Sequence, residues 1–309
     1  MNKSIDKITF NGWKDCVRIR HNDIEMIVAS SFGPRIISVG FTGKDNFFYL
    51  EKNQFPSSGK DTWKIYGGHR LWHAPEAMPR TYYPDNDPVR IDSFENGLLI
   101  TQEPEILTGI QKELEIVFFD QHNIISITHR LRNIAQWPLQ LAPWALSVLG
   151  GNGTIIVPTD TFSSADDPLQ PNRSLALWPF TDLGDKRWKL TNKYIFASYD
   201  AAFQSEQKLG FSNSAGWMAY RLGDEVLIKT FSHDPSQTYP DLGSNAEIYI
   251  DGRFIEMETL GPLCILKPAD STEHTEHWAL EKMSFKLTEK SIAANLVPRV
   301  HQIKNILLN

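Results

Sequence analysis

Short apolar stretches that alternate residue by residue, each closed by a turn, constrain this chain most. Leu114, Ile116 and Phe118 alternate with charged or smaller residues, a turn follows at Asp120-Gln121-His122-Asn123, and Ile125, Ile127, His129 and Leu131 alternate again. Successive side chains of a β-strand point to opposite faces, so a period of two marks a half-buried strand. Two such runs around a turn make a hairpin. The same reading gives two strands within 17–28 around His21-Asn22-Asp23, a Gly33-Pro34 turn leading into a strand to Phe41, and an apolar strand at 46–50. A nearly continuous apolar run covers 139–149 despite Pro143, a short buried strand follows at 154–158, and further strands fall at 194–197, 208–211, 216–220, 225–230, 247–250, 254–258, 263–266 and 276–285. Only 288–308 has a helical pattern, and Pro298 is expected to interrupt it. The expected fold is all-β: a large antiparallel two-sheet β-sandwich with a short C-terminal helical tail, built as one domain over 1–309.

Composition narrows the function classes. A net charge of −6 argues against a nucleic-acid partner, which calls for a basic face. No apolar run approaches the length of a membrane span, and the lysine-bearing N-terminus has no apolar signal region, so a cytoplasmic protein without a membrane partner is expected. Cys16 and Cys264 give neither a disulfide framework nor a zinc spacing and are read as free thiols. No phosphate loop or nucleophile elbow is present, and no cofactor is expected. Nine tryptophans supply flat apolar faces that suit packing and also the stacking of a ligand.

Chemistry concentrates in two stretches. Tyr66-Gly67-Gly68-His69-Arg70-Leu71-Trp72-His73-Ala74-Pro75-Glu76 packs two histidines, an arginine, a carboxylate and aromatics into one segment, read as a loop or strand end. Its Gly-Gly pair permits positive φ and close approach of another group to the backbone. Pro75 speaks against a helix here, so His69, His73 and Glu76 do not meet at helical spacing and no metal site is expected. If extended, His69, Leu71 and His73 share one face and Arg70 and Trp72 the other. In the second stretch, Phe254, Glu256 and Glu258 share a face opposite Ile255 and Met257. Two carboxylates on one strand face mark either a half-solvated strand or the floor of a cleft. His274 and His277 read as a solvated strand start, and Asp166, Asp167 and Asp234 sit in loops without a calcium pattern.

These motifs, in this order, resemble the galactose mutarotase-like (aldose 1-epimerase) superfamily over roughly 17–287. The resemblance rests on Phe32-Gly33-Pro34-Arg35-Ile36-Ile37-Ser38-Val39-Gly40, on Tyr66-Gly67-Gly68-His69-Arg70, on His129-Arg130-Leu131-Arg132-Asn133 followed by Pro138-Leu139-Gln140-Leu141, and on Glu258-Thr259. It implies a β-supersandwich that binds a small sugar or glycan and exchanges its anomers by general acid–base catalysis. It implies Glu258 as the base. The superfamily's acid histidine after the central apolar strand is missing, since that region reads Ala142-Pro143-Trp144-Ala145-Leu146. His69 or His73 is then expected to supply the acid, with Arg35, Arg70, Trp72, Glu76, Tyr83, Trp144 and Glu256 binding substrate. A non-catalytic sugar-sensing or glycan-binding module is the alternative.

Overall fold

The computed structural model describes residues 3–59, 62–119, 122–159 and 172–308. Asp120 and Gln121 of the expected turn, and Asp166 and Asp167, lie outside the described residues. In chain order the strands are β1 (Lys3–Phe10), β2 (Trp13–His21), β3 (Ile24–Val28), β4 (Arg35–Phe41), β5 (Gly68–Ala74), β6 (Arg90–Phe94) and β7 (Gly97–Thr101). Then come β8 (Ile110–Phe118), β9 (Ile124–Asn133), β10 (Leu139–Leu149), β11 (Thr154–Pro158), β12 (Leu175–Leu177), β13 (Trp188–Leu190) and β14 (Tyr194–Ser198). The last are β15 (Gln207–Phe211), β16 (Trp217–Leu222), β17 (Glu225–Phe231), β18 (Ala246–Ile250), β19 (Ile255–Leu260), β20 (Cys264–Leu266) and β21 (Ser271–Lys282). A single helical turn, α1 (Pro240–Gly243), precedes β18, and a long helix, α2 (Glu289–Leu307), ends the chain.

The strands form two antiparallel sheets. One has eleven strands in the order β1-β2-β3-β4-β5-β10-β19-β18-β15-β12, with β20 beside β10; the other has ten, β13-β14-β11-β16-β17-β21-β9-β8-β7-β6. Their facing sides bury a core drawn from both sheets, including Met26, Leu71, Ile116, Ile127, Met218, Ile248, Met257 and Trp278. α2 covers the outer face of the ten-stranded sheet through Ile292, Leu296, Val300 and Ile303. The expected two-sheet architecture and C-terminal helix are therefore present.

Four local expectations change. The stretch at 68–74 is no loop but β5, a central strand buried at every position. A Cβ at Gly67 (φ +91°) would lie 2.0 Å from the Tyr49 carbonyl oxygen, and one at Gly68 (φ +78°) 2.4 Å from that of Ile36, so both positions require glycine. At 46–50 there is no strand, only isolated bridges at Phe48 and Leu50. The Asn46 amide takes over the pairing there, accepting from the Val39 and Phe48 N–H groups and donating to the Ile37 carbonyl. α2 runs through Pro298, because apolar anchors on both sides of the proline hold it to the sheet. The polar N-terminus adds an edge strand, β1, that carries no apolar alternation strong enough to announce it.

Register places the chemistry. Gly210, Glu247, Glu258, Leu146, Arg70 and Arg35 form one row across six strands of the larger sheet. Trp72, Trp144 and Leu260 form the next row on that face. Residues paired across a ladder share a face, so these groups all point away from the other sheet.

Candidate functional site

A cavity of about 460 Å³ lies on this outer face of the larger sheet. Its lining includes Arg70, Trp72, Trp144, Glu256 and Glu258 from β5, β10 and β19, with Lys208 from β15. Each comes from the face that strand alternation assigns to it. Trp63, Tyr82, Trp178 and Tyr249 add aromatic walls, and Glu76 joins at the edge.

Glu258 is fully buried on the floor. Its Oε2 accepts from the Trp144 indole N–H at 2.8 Å and from Lys208 Nζ at 3.2 Å. Its Oε1 finds no partner among the described residues. Lys208 also meets Glu247 at 2.8 Å and sits 4.5 Å from the Trp144 ring centroid and 4.8 Å from that of Trp178. Burial pushes the Lys208 pKa down, but Glu247 and Glu258 outweigh it and hold the ammonium above its ordinary value. Glu247 is pushed well up, by burial and then by the neighbouring Glu258 charge against the pull of Lys208.

Glu256 meets Arg70 at 3.3 Å. Burial, opposed by Arg70 and reinforced by the Glu258 charge, raises Glu256 to about 7. Arg70 is 2% exposed, lies 4.2 Å from the Trp72 ring centroid, and keeps Nε and Nη1 without partners among the described residues. Spare N–H donors, one spare carboxylate oxygen and a carboxyl poised near neutrality thus lie buried at the floor of the cavity, among aromatic side chains. That pattern suits a polyhydroxylated ligand with an apolar side.

The expected residues divide by face. Arg70, Trp72, Glu76, Trp144, Glu256 and Glu258 come together in the cavity. His69 and His73 do not: they sit on odd positions of β5 and point between the sheets, correcting the expectation that either faces the ligand. His69 Nε2 lies 2.6 Å from His129 Nε2, and its Nδ1 is 2.8 Å from Ser147 Oγ. His129 Nδ1 donates to the His274 carbonyl at 2.9 Å, so His69 Nε2 is the donor between the two rings and Ser147 donates to His69 Nδ1. Burial, then the Lys229 charge, pushes His69 well below its ordinary value. His73 is lowered to about 4 by burial, against the pull of Glu105 at 3.7 Å.

Arg35 faces the cavity side but is roofed by the chain above it. It donates to the Ile65 and Gly67 carbonyls at 3.0 and 2.8 Å and pairs with Asp85 at 2.5 Å, so it shapes the loop rather than meeting a ligand. Tyr83 does not line the cavity; its neighbour Tyr82 does, and its hydroxyl donates to Glu76. His274, expected at a solvated strand start, is buried and bonds Thr259 Oγ1 at 2.7 Å. Lys208, Glu247 and Tyr249 escaped the sequence reading. A lysine within Gln207–Phe211 and the alternation Glu247, Tyr249 within Ala246–Ile250 were the available signals.

His69, His129 and Glu276 bring three metal-ligand atoms within 4.8 Å. The cluster is already committed: Glu276 takes Lys229 Nζ at 2.9 Å, Thr259 Oγ1 at 2.6 Å and the Trp278 indole at 2.7 Å. Two imidazole nitrogens 2.6 Å apart are also closer than two ligands about 2.0–2.1 Å from one tetrahedral zinc.

Solved structures share this architecture, which is that of the galactose mutarotase-like proteins. A protein from Escherichia coli K12, provisionally named an aldose 1-epimerase, matches with a TM-score of 0.55 at 12% identity, over 91% of this chain and 100% of that one. A galactose mutarotase-like protein from Lactobacillus casei ATCC 334 matches with a TM-score of 0.55 at 11% identity, over 86% of this chain and 100% of that one. The Slr1438 protein from Synechocystis sp. PCC 6803 matches with a TM-score of 0.55 at 10% identity, over 91% and 97%. At such identities the likeness shows the fold alone. No family model matches the sequence, and a search of curated proteins finds no match. Among the described residues, no helix is long and apolar enough to cross a membrane.

Proposed function

We propose that the chain binds a sugar in this cavity and exchanges its anomers by general acid–base catalysis, with Glu258 as base and Glu256 as acid. The observation that carries this reading is the pair of carboxylates on one face of β19, held in different environments inside an aromatic-walled cavity. Two carboxyls kept apart in this way take opposite proton-transfer roles. Lys208 and Trp144 fix one oxygen of Glu258 and leave Oε1 for the anomeric hydroxyl proton. Glu256, raised to about 7, is protonated in a substantial share of molecules at neutral pH and gives its proton to the ring oxygen.

The C1–O5 bond breaks as the C1 carbonyl forms. The aldehyde group rotates about C1–C2, and the ring closes on its other face. Closure returns the ring-oxygen proton to Glu256 and the Glu258 proton to the new anomeric oxygen. No bond to the enzyme forms. The spare donors of Arg70 hold a sugar oxygen, and the half-buried Trp63 and Tyr82 offer apolar wall to its C–H surface.

The test is NMR exchange or polarimetry on freshly dissolved α-glucose and α-galactose. Glu258→Gln should lower the exchange rate by roughly 10²–10⁴ while sugar binding persists. Wild-type exchange should decline as pH rises above about 7, where Glu256 loses its proton. A wild type that binds sugars and exchanges none of them returns the protein to the binding-module alternative. Equal rates for wild type and Glu258→Gln remove Glu258 as the base.

A further inference from the structure

The cavity is longer than one sugar ring. Same-face residues on a strand are about 7 Å apart, so Glu256 and Glu258 on β19, with Phe254 just ahead of it, lay out a floor of about 14 Å. The volume of about 460 Å³ falls within the range of about 300–1,000 Å³ that small-molecule sites occupy.

Aromatic rings gather at two ends of this floor. Beside Glu258, Trp72 packs against Trp63, Tyr82 and Trp144 with centroids 5.9, 5.1 and 5.4 Å away. At the far end Tyr249 and Phe254 lie 6.2 Å apart. Phe180 belongs to the same lining, and its carbonyl accepts from Gln207, which pairs with Ile250 next to Tyr249, at 3.5 Å. Phe180 lines the cavity while remaining 41% exposed, as a ring at the mouth of a binding cleft does.

Charge at the far end disfavours a phosphate. Arg253 is tied to Asp251 at 2.9 Å and to Glu51 at 3.1 Å, and Lys64 donates to Ser57 Oγ at 3.0 Å. Glu206 adds a carboxylate there, accepting from the Tyr249 hydroxyl at 3.0 Å. Of the cationic side chains that line the cavity among the described residues, Arg70, Lys208 and Arg253 are each already paired with a carboxylate, which leaves Lys64. A phosphate dianion has to compete with those carboxylates for their cations, whereas uncharged hydroxyls find both donors and acceptors.

Resting on the sugar reading above, we infer that the cavity takes a neutral reducing disaccharide or longer oligosaccharide, its reducing ring over Glu256 and Glu258 and its next ring against Tyr249, Phe254 and Phe180. The experiment is calorimetric titration of the full chain with glucose, galactose, maltose, cellobiose, lactose and glucose 6-phosphate, with anomer exchange followed by NMR on the same samples. At least one disaccharide should bind about tenfold more tightly than glucose and glucose 6-phosphate, and Phe180→Ala and Tyr249→Ala should each remove most of that margin. Equal affinities for mono- and disaccharide, tightest binding of the 6-phosphate, or a margin that survives both substitutions overturns the inference. A protein that prefers the disaccharide yet exchanges no anomer keeps the inference and loses the proposed activity. Exchange of monosaccharides with no gain from a second ring does the reverse, and binding of none of the six sugars removes both.

Discussion

Glu256→Gln separates the two carboxylates through stability alone, without reference to any substrate. Glu256 is 5% exposed, and burial with the Glu258 charge raises it from an ordinary 4.5 to about 7 against the pull of Arg70. Between those values the native protein holds a proton that the unfolded chain has released. Stability from this group is therefore full below the unfolded value and is lost as pH rises through the folded one, by about 1.4 kcal/mol per pH unit. Across the window from 4.5 to about 7 the loss amounts to about 3 kcal/mol. Glutamine has no proton to release, so the variant should gain about 3 kcal/mol relative to wild type between pH 4.5 and pH 8. Comparison with wild type is essential, because other groups pull the opposite way. His274, lowered by burial to about 3, contributes stability that is lost as pH falls from 6.5 toward that value, and both proteins share it. Thermal unfolding at pH 4.5, 6, 7 and 8 reads the gap. At about 2 °C per kcal/mol for a chain of this size, the difference in Tm should change by about 6 °C. A gap that stays constant across this range refutes the burial and charge argument for Glu256, and with it the assignment of that residue as the acid.

Lys208→Met leaves Glu247 and Glu258 buried beside each other without their shared cation, and should cost about 3–5 kcal/mol in urea unfolding at pH 7. Adding Glu247→Gln should recover part of that loss. His69→Leu strands His129 Nε2 and the Ser147 hydroxyl between the sheets, at about 1–3 kcal/mol for each orphaned group, while the folded variant keeps its affinity for sugar. A folded His69→Leu protein that no longer binds sugar would contradict the placement of this side chain. Leu296→Ala removes a buried anchor of α2 and should lower stability by about 2–5 kcal/mol without altering sugar affinity, measured by unfolding and calorimetry on the same preparation.

Alternation was enough to settle the fold class and to say which of the later cavity-lining residues share a strand face. Leu114 to Leu131 announced its hairpin, because a strand with one buried face must write that face into every second residue. The same rule groups Glu256 with Glu258, and Arg70 with Trp72, from the sequence alone. It also separated His69 and His73 from Arg70, but could not say which face looked outward. That choice depends on what packs against the strand: β5 turned out to be central, buried on both faces, with the second sheet taking its odd positions. Lys208 and Glu247 were hidden for a related reason. They are distant in sequence from β5 and meet Glu258 only through the ladder β15-β18-β19, a pairing set by long-range register. Asn46 replaced a strand with a side-chain bridge, and Pro298 stayed inside a helix, where anchoring contacts outweighed local preference. The sequence by itself determined the period, and therefore which side chains travel together. Only the tertiary structure decided which of those groups share a cavity and which lie locked in the core, because burial and the charge of distant neighbours exist only once the sheets have closed.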